Sequence, residues 1–260
     1  MTKLYERISI LKKAKNIFKN WIIFPLSYYN FIQSEHIIFK TRTEKTIKIR
    51  RKSTDLMALT HVWLIEEYKK PDFKIKENDV VIDIGAHIGL FTLHASQFCT
   101  EGTIYSFEPV KENYELLLEN IRLNGLEQVK TFNLAVSNSN EPIKLFINDD
   151  ESGHSMFSES SQSTMIDSIS LQNVFDSNQI KQCNFLKLDC EGAEYEIMKN
   201  LPLEYYDKID KIIIEYHMAD SHPELLNELK KILVSQHFYI EIKPLFSDIG
   251  FLYAKKTKFS

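Results

Sequence analysis

Apolar positions follow two different rhythms along the chain. Leu4, Ile8, Leu11 and Phe18 recur at helical spacing with lysines on the other faces, which predicts an amphipathic helix ending before Pro25. Between Ile37 and Ile49 apolar and charged residues alternate, as in a short hairpin. A second helix is expected from Asp55 to Tyr68, with Ser53 or Thr54 as N-cap and Pro71 beyond its end.

From residue 79 the rhythm becomes an alternation of strands and helices. Strands are expected at Val80–Ile82, Thr103–Phe107, Val129–Val136, Phe185–Leu188, Lys211–Tyr216, Phe238–Lys243 and Phe251–Ala254. Helices are expected from about Gly89, at 111–124, at 193–199 and at 223–236, with Pro223 suited to a first helical turn. Residues 137–170 are polar and serine-rich, with room for a hairpin and a loop. Such alternation predicts an α/β fold with an open, mostly parallel sheet covered on both faces. The last two strands are joined by a turn around Ser247 and Asp248, too short for a helical crossover, so they should run antiparallel.

Composition narrows the class. Of 260 residues 43% are apolar and 26% charged, which excludes disordered and fibrous classes. No apolar run reaches the ~18–20 residues of a membrane span, and the N-terminus lacks a signal-peptide pattern. Cys99, Cys183 and Cys190 have no paired spacing, so neither a disulfide framework nor a zinc site is expected, and the reducing cytoplasm is the expected compartment; carboxylates with a His could hold a divalent metal, but no tight ligand spacing favours one. Charge is divided unevenly. The first 52 residues hold thirteen basic residues against Glu6, Glu35 and Glu44, net +10, leaving −14 for the other 208. Residues 1–52 therefore read as a basic helical and hairpin extension, and 53–260 as an acidic main domain that is no nucleic-acid binder. The lysine-rich helix with Trp21, Phe24, Tyr28, Tyr29 and Phe31 after it suits packing on the chain's own acidic body, or contact through residues 1–33 with a second subunit or an anionic membrane surface.

With only seven glycines in the chain, the pair Gly85 and Gly89 stands out. They close the run Asp83-Ile84-Gly85-Ala86-His87-Ile88-Gly89 after the first strand of the alternating region. A dinucleotide fingerprint wants glycines where Asp83 and Ile88 stand. A carboxylate beside the tight turn repels a pyrophosphate but suits a cation, and S-adenosylmethionine carries a sulfonium and an ammonium. Glu108, 19 residues after Gly89, ends the next strand and can accept hydrogen bonds from ribose hydroxyls. The fourth strand runs into Lys187-Leu188-Asp189-Cys190-Glu191-Gly192-Ala193-Glu194, three carboxylates around one glycine. An Asn/Asp-Pro-Pro-aromatic run, expected there of enzymes that methylate base amines, is absent.

These residues, with Phe107-Glu108-Pro109, Asn120 to Gly125, Leu134-Ala135-Val136 and Ile166-Asp167, resemble the FkbM family of S-adenosylmethionine-dependent methyltransferases. Ser53 to Leu56 and Glu67-Tyr68 resemble the family's lead-in helix, and the likeness runs from about residue 50 to 255. It implies a class I, Rossmann-like fold of seven strands, the last antiparallel. It also implies S-adenosyl-L-methionine as cofactor and methyl transfer to a hydroxyl of a sugar, glycan or secondary metabolite. The cofactor set so implied is Asp83, Gly85, Ala86, His87, Gly89, Glu108, Pro109, Asn113, Ala135, Val136 and Asp189.

Deprotonating a hydroxyl calls for a base within hydrogen-bond reach. Candidates are Asp189 and Glu191, His217 just past the fifth strand, and His154 in the polar 149–155 loop, with Lys187 orienting a carboxylate or holding an anionic acceptor. Two other functions stay open: an NAD(P)-dependent oxidoreductase, and a non-catalytic interaction module on the same fold.

Overall fold

A computed structural model describes residues 2–147 and 162–257. Helix α1 (Thr2–Ile17) is followed by α2 (Ile23–Tyr28), then by an antiparallel hairpin of β1 (His36–Lys40) and β2 (Thr46–Arg50). Pro25 does not end a helix. It sits in the first turn of α2, where its missing N–H is no loss. The expected 55–68 helix is α3 (Asp55–Leu59) running into a π-helical turn at Thr60–Ile65, which stops at Glu66 in left-handed backbone.

The alternating region then gives β3 (Val80–Ile84), α4 (Leu90–Ala95), β4 (Thr103–Phe107), α5 (Lys111–Leu123) and β5 (Val129–Phe132). The expected strand at 129–136 is broken after Phe132, and its second half is β6 (Ala135–Ser137). Next come β7 (Ile143–Ile147), β8 (Gln162–Ile166), β9 (Ser168–Ser170) and α6 (Leu171–Ser177). The chain closes with β10 (Phe185–Leu188), α7 (Glu194–Asn200), α8 (Leu203–Tyr206), β11 (Lys211–Tyr216), α9 (Pro223–Ser235), β12 (Phe238–Pro244) and β13 (Gly250–Lys256).

Seven strands form the main sheet in the order β12-β13-β11-β10-β3-β4-β5. All are parallel except β13, which lies between β11 and β12 and is antiparallel to both. The order reverses between β3 and β10, so the strand ends of β10, β3 and β4 open a crevice there. Two cores sandwich the sheet. One gathers Leu186, Ile212, Met198 and Leu229 beneath α6, α7 and α9. The other gathers Val81, Ile104 and Phe185 with residues of the first fifty: Ala14, Phe18, Phe39, Ile47 and Ile49, all fully buried.

The expected boundary at residue 52 is therefore no break in packing. Helix and hairpin form as expected, yet they cover one face of the sheet. Of the expected apolar face, Phe18 is fully buried but Ile8 is 44% exposed, and Ala14 joins the core instead. Tyr28, Tyr29 and Phe31 are exposed and touch one another in sequence. Among the described residues no helix is long and apolar enough to cross a membrane.

The hairpin is held to α5 by side chains that behave like a neighbouring strand. Asn120 Oδ1 accepts from Lys48 N (2.8 Å), and its Nδ2 donates to Lys48 O (3.0 Å) and Ile88 O (2.9 Å). Asn124 makes the same pair with Thr46 N (2.8 Å) and Thr46 O (2.7 Å). Edge-strand backbone is thus satisfied without another strand. Asn120→Ala orphans these partners in a fully buried place and should cost about 2–4 kcal/mol. Urea unfolding should show a lower midpoint at unchanged slope; an unaltered midpoint would mean the hairpin is held by its apolar contacts alone.

Candidate active site

The crevice is a cavity of about 430 Å³ at the strand ends. Its floor depends on two glycines. Gly85 (φ +73°) lets β3 approach β10 so closely that a Cβ would stand 1.8 Å from the Asp189 carbonyl oxygen, and Gly89 (φ +87°) leaves room for Leu117. Three non-glycine residues around the cavity also have left-handed backbone: His87 after β3, Glu191 after β10 and Met218 after β11. Glu66, before the cavity-lining Glu67 and Tyr68, is a fourth. Strain of this kind costs about 1–3 kcal/mol per residue and is kept where it aims functional groups.

One side of the cavity is formed by the ends of β3, β4 and β6. Glu108 is 4% exposed; its Oε2 accepts from His87 N (2.7 Å), and its Oε1 from Val110 N (3.0 Å) and Asn113 Nδ2 (3.3 Å). Burial outweighs these donors and raises its pKa to about 7. Arg50, from β2, reaches the same group. Its Nη2 donates to Asp55 Oδ1 (2.7 Å) and Asn113 Oδ1 (2.9 Å) and lies 3.3 Å from His87 Nε2. Burial lowers the His87 pKa to about 4, so the ring is neutral. Val110, Ala135, Val136, Leu145 and Ile166 give this side an apolar wall.

The other side is formed by β10, β11 and the segment after the π-helical turn. Parallel register sets Leu188 opposite Ile214, so Asp189 and Glu215 follow side by side. Glu215 and His217 share a strand face by the two-residue period. Tyr68 donates toward Asp189 Oδ2 (3.3 Å) and Glu215 Oε2 (3.2 Å). The Glu215 pKa rises to about 8, through burial first and the charge of Asp189 second. His217 is clamped: Nδ1 is 3.1 Å from Oε1 of the fully buried Glu194, and Nε2 is 3.5 Å from Glu191 Oε2. Burial opposes its charge, but the Glu194 hydrogen bond and the surrounding carboxylates raise its pKa to about 10. Burial likewise lifts Glu191 to about 7. At the rim, Glu67 pairs with His61 Nδ1 at 2.9 Å.

Of the residues singled out from sequence, Gly85, Ala86, His87, Glu108, Pro109, Asn113, Ala135, Val136, Lys187, Asp189, Glu191 and His217 all line the cavity. Asp83 and Gly89 do not. Asp83 lies behind the wall, fully buried, accepting from Thr92 Oγ1 (2.6 Å) and facing Lys187 Nζ at 3.2 Å. Its carboxylate is occupied by a lysine rather than turned to a ligand. Lys187 is likewise no free cation: Nζ donates to Gly85 O (2.7 Å) and Ile84 O (3.3 Å), and although burial opposes the charge, Asp83 and Asp189 hold its pKa above the ordinary lysine range. His154 lies outside the described residues. Sequence reasoning missed Glu215, although its place two residues before His217 was a signal, and missed Arg50, which no local pattern connects to residue 108.

The chain matches the family model described as the methyltransferase FkbM domain over residues 83–239. It is similar to the hexuronic acid methyltransferase AglP of Haloferax volcanii, 25% identical over 77% of this chain and 83% of that protein. It is also similar to methyltransferase 1 of Beauveria bassiana, 22% identical over 64% of this chain and 75% of that one. A solved FkbM methyltransferase from Methylobacillus flagellatus superposes with a TM-score of 0.50 at 17% identity, over 76% of this chain and 53% of that one, so this chain spans about half its length. The sheet order with β13 antiparallel is the class I S-adenosylmethionine-dependent methyltransferase fold.

Lys187→Met strands a fully buried carboxylate and should cost about 3–5 kcal/mol. Adding Asp83→Asn should recover part of that loss in urea unfolding. Strictly additive costs for the two substitutions would show that the pair is not coupled.

Proposed function

Because the chain belongs to the FkbM methyltransferase family, we propose that it transfers a methyl group from S-adenosylmethionine to a hydroxyl oxygen of a small sugar, glycan or secondary-metabolite acceptor. The observation that carries this reading is the division of one cavity into two chemically different halves. The Glu108 half fits a nucleoside. Its carboxylate accepts three N–H bonds and keeps capacity for a ligand hydroxyl, beside an apolar slot suited to a flat ring. Asp83 acts on this half indirectly, through Lys187 and the Gly85 turn.

The other half has the acid–base groups. Asp189, Glu191, Glu215 and Glu67 outnumber the cations His217, Lys187 and His61 there. Such a lining supplies acid and base groups for a hydroxyl acceptor. When bound, S-adenosylmethionine supplies a methyl on a sulfonium sulfur, whose bond to that carbon breaks as the oxygen–carbon bond forms. The protein aligns the acceptor oxygen and removes its proton to the carboxylate group around His217. Independently of the chemistry, we propose that the exposed Tyr28, Tyr29 and Phe31, which follow the basic α1, make peripheral contact with a second subunit or an anionic membrane.

Two outcomes follow. S-Adenosylhomocysteine should bind the purified chain, and affinity should fall as pH drops below about 7, because protonated Glu108 loses acceptor capacity. Glu108→Gln should bind about tenfold or more weakly and lose that pH dependence. Calorimetry across pH that finds both proteins alike removes Glu108 from the site. With labelled methyl donor, hydroxyls of polyol and glycoside acceptors should be methylated; transfer confined to carboxylates would overturn the hydroxyl assignment.

A further inference from the structure

The carboxylates at the ends of β10 and β11 share few side-chain donors between them. Lys187 Nζ donates to Gly85 O at 2.7 Å and Ile84 O at 3.3 Å and stands in ion-pair range of Asp83 Oδ1 at 3.2 Å and, farther off, of Asp189 Oδ2 at 3.5 Å. Tyr68 is the one hydroxyl shown between Asp189 Oδ2 and Glu215 Oε2, and it has a single proton for two acceptors. Two carboxylates are thus held side by side with one shared donor. Bringing like charges together in a partly dry site is costly unless a cation joins them.

A third donor faces the same point. One ligand atom each from Asp189, Glu215 and His217 lie within 4.8 Å of one another. His217 is 8% exposed, and its ring is oriented from behind: Glu194, fully buried, takes Gly192 N on Oε2 (2.8 Å) and both His217 N (3.0 Å) and Nδ1 (3.1 Å) on Oε1. That carboxylate fixes the Nδ1–H tautomer and leaves Nε2 toward the cavity, where its neighbour is Glu191 Oε2 at 3.5 Å without a hydrogen bond. A buried carboxylate behind a histidine whose other nitrogen faces two more carboxylates is the outer support of a metal-binding imidazole.

We infer that Asp189, Glu215 and His217 form a divalent-cation site at the acceptor end of the cavity. Ligands about 2.1–2.2 Å from a common centre stand about 3 Å apart at right angles and about 4.3 Å apart across it, so the three atoms need only a small inward movement. Two hard carboxylate oxygens with one imidazole suit Mg²⁺ or Mn²⁺ better than a thiophilic ion. Binding displaces any proton on Nε2 and leaves coordination positions open to the acceptor. The site itself stands on this geometry; its use in lowering the pKa of an acceptor hydroxyl rests on the methyl-transfer reading above.

Mn²⁺ titration of the full chain followed by electron paramagnetic resonance, with S-adenosylhomocysteine present, tests the inference. One bound ion per chain is expected, at least tenfold weaker in Glu215→Gln and in Asp189→Asn. Glu194→Gln touches no ion in this arrangement and should weaken binding 10–100-fold by freeing the imidazole. Thermal unfolding and homocysteine-adduct binding in each variant separate a lost ligand from a lost fold. Absence of bound Mn²⁺ at millimolar concentration, or binding that Glu215→Gln leaves unchanged, overturns the site. Methyl transfer undiminished by chelator overturns its catalytic use while leaving the hydroxyl reading intact, whereas failure to bind S-adenosylhomocysteine strikes that reading and not the cation.

Discussion

A single ammonium ties together the two strands that meet at the reversal point of the sheet. Lys187, almost fully buried, leaves β10 and reaches back to the last carbonyl of β3, to that of Gly85 just beyond it, and to Asp83. Parallel strands otherwise diverge at their ends, where the ladder stops and each chain must turn to its helix. Here the ends stay joined because a buried positive charge has nowhere else to find its partners. The close approach then requires a residue without Cβ at position 85, and that glycine sets the path of the loop that carries His87 to Glu108. Cavity shape on one side and carboxylate spacing on the other both descend from this contact.

The same contact explains why the chemistry is asymmetric about the reversal point. Toward β4, Glu108 is surrounded by N–H donors from backbone and amide, which favour a neutral, hydroxyl-bearing ligand. Toward β11, acidic groups accumulate, while Lys187 donates its hydrogen bonds to the end of β3 and the turn after it. Left-handed residues His87 and Glu191 sit just past the ends of the two strands that Lys187 joins. Their strain is tolerable because the strands behind them are pinned.

Much of the fold was legible because period and punctuation agree over the alternating region: every strand of the seven-stranded sheet was visible as an apolar run. What misled was local. The run from Val129 to Val136 conceals a break after Phe132 that hands the chain from the main sheet to β6. For the site, cavity-lining residues that follow strands were found because strand ends are readable. Asp83 was given to a ligand because sequence cannot show that Lys187, over a hundred residues away, already claims it. Tyr68 acts across comparable separations and Arg50 across shorter ones, the latter from a segment whose positive charge was read as a basic extension. Net charge describes a surface and says little about which side chains the core has taken.

The paired asparagines of α5 also make that helix a ruler. Asn120 and Asn124 are one turn apart, about 6 Å along the axis, and they grip Lys48 and Thr46, two strand residues or about 6.7 Å apart. The two spacings nearly coincide, so the helix reads off which residues of the hairpin stand opposite it. Two positions beyond Lys48 comes Arg50, whose guanidinium must meet Asp55 and Asn113. Registration of that side chain is therefore measured from α5 rather than from the turn at 41–45. The turn is free to lengthen or shorten over evolutionary time without shifting Arg50, while a one-residue slip of the strand itself would carry the guanidinium to the opposite face.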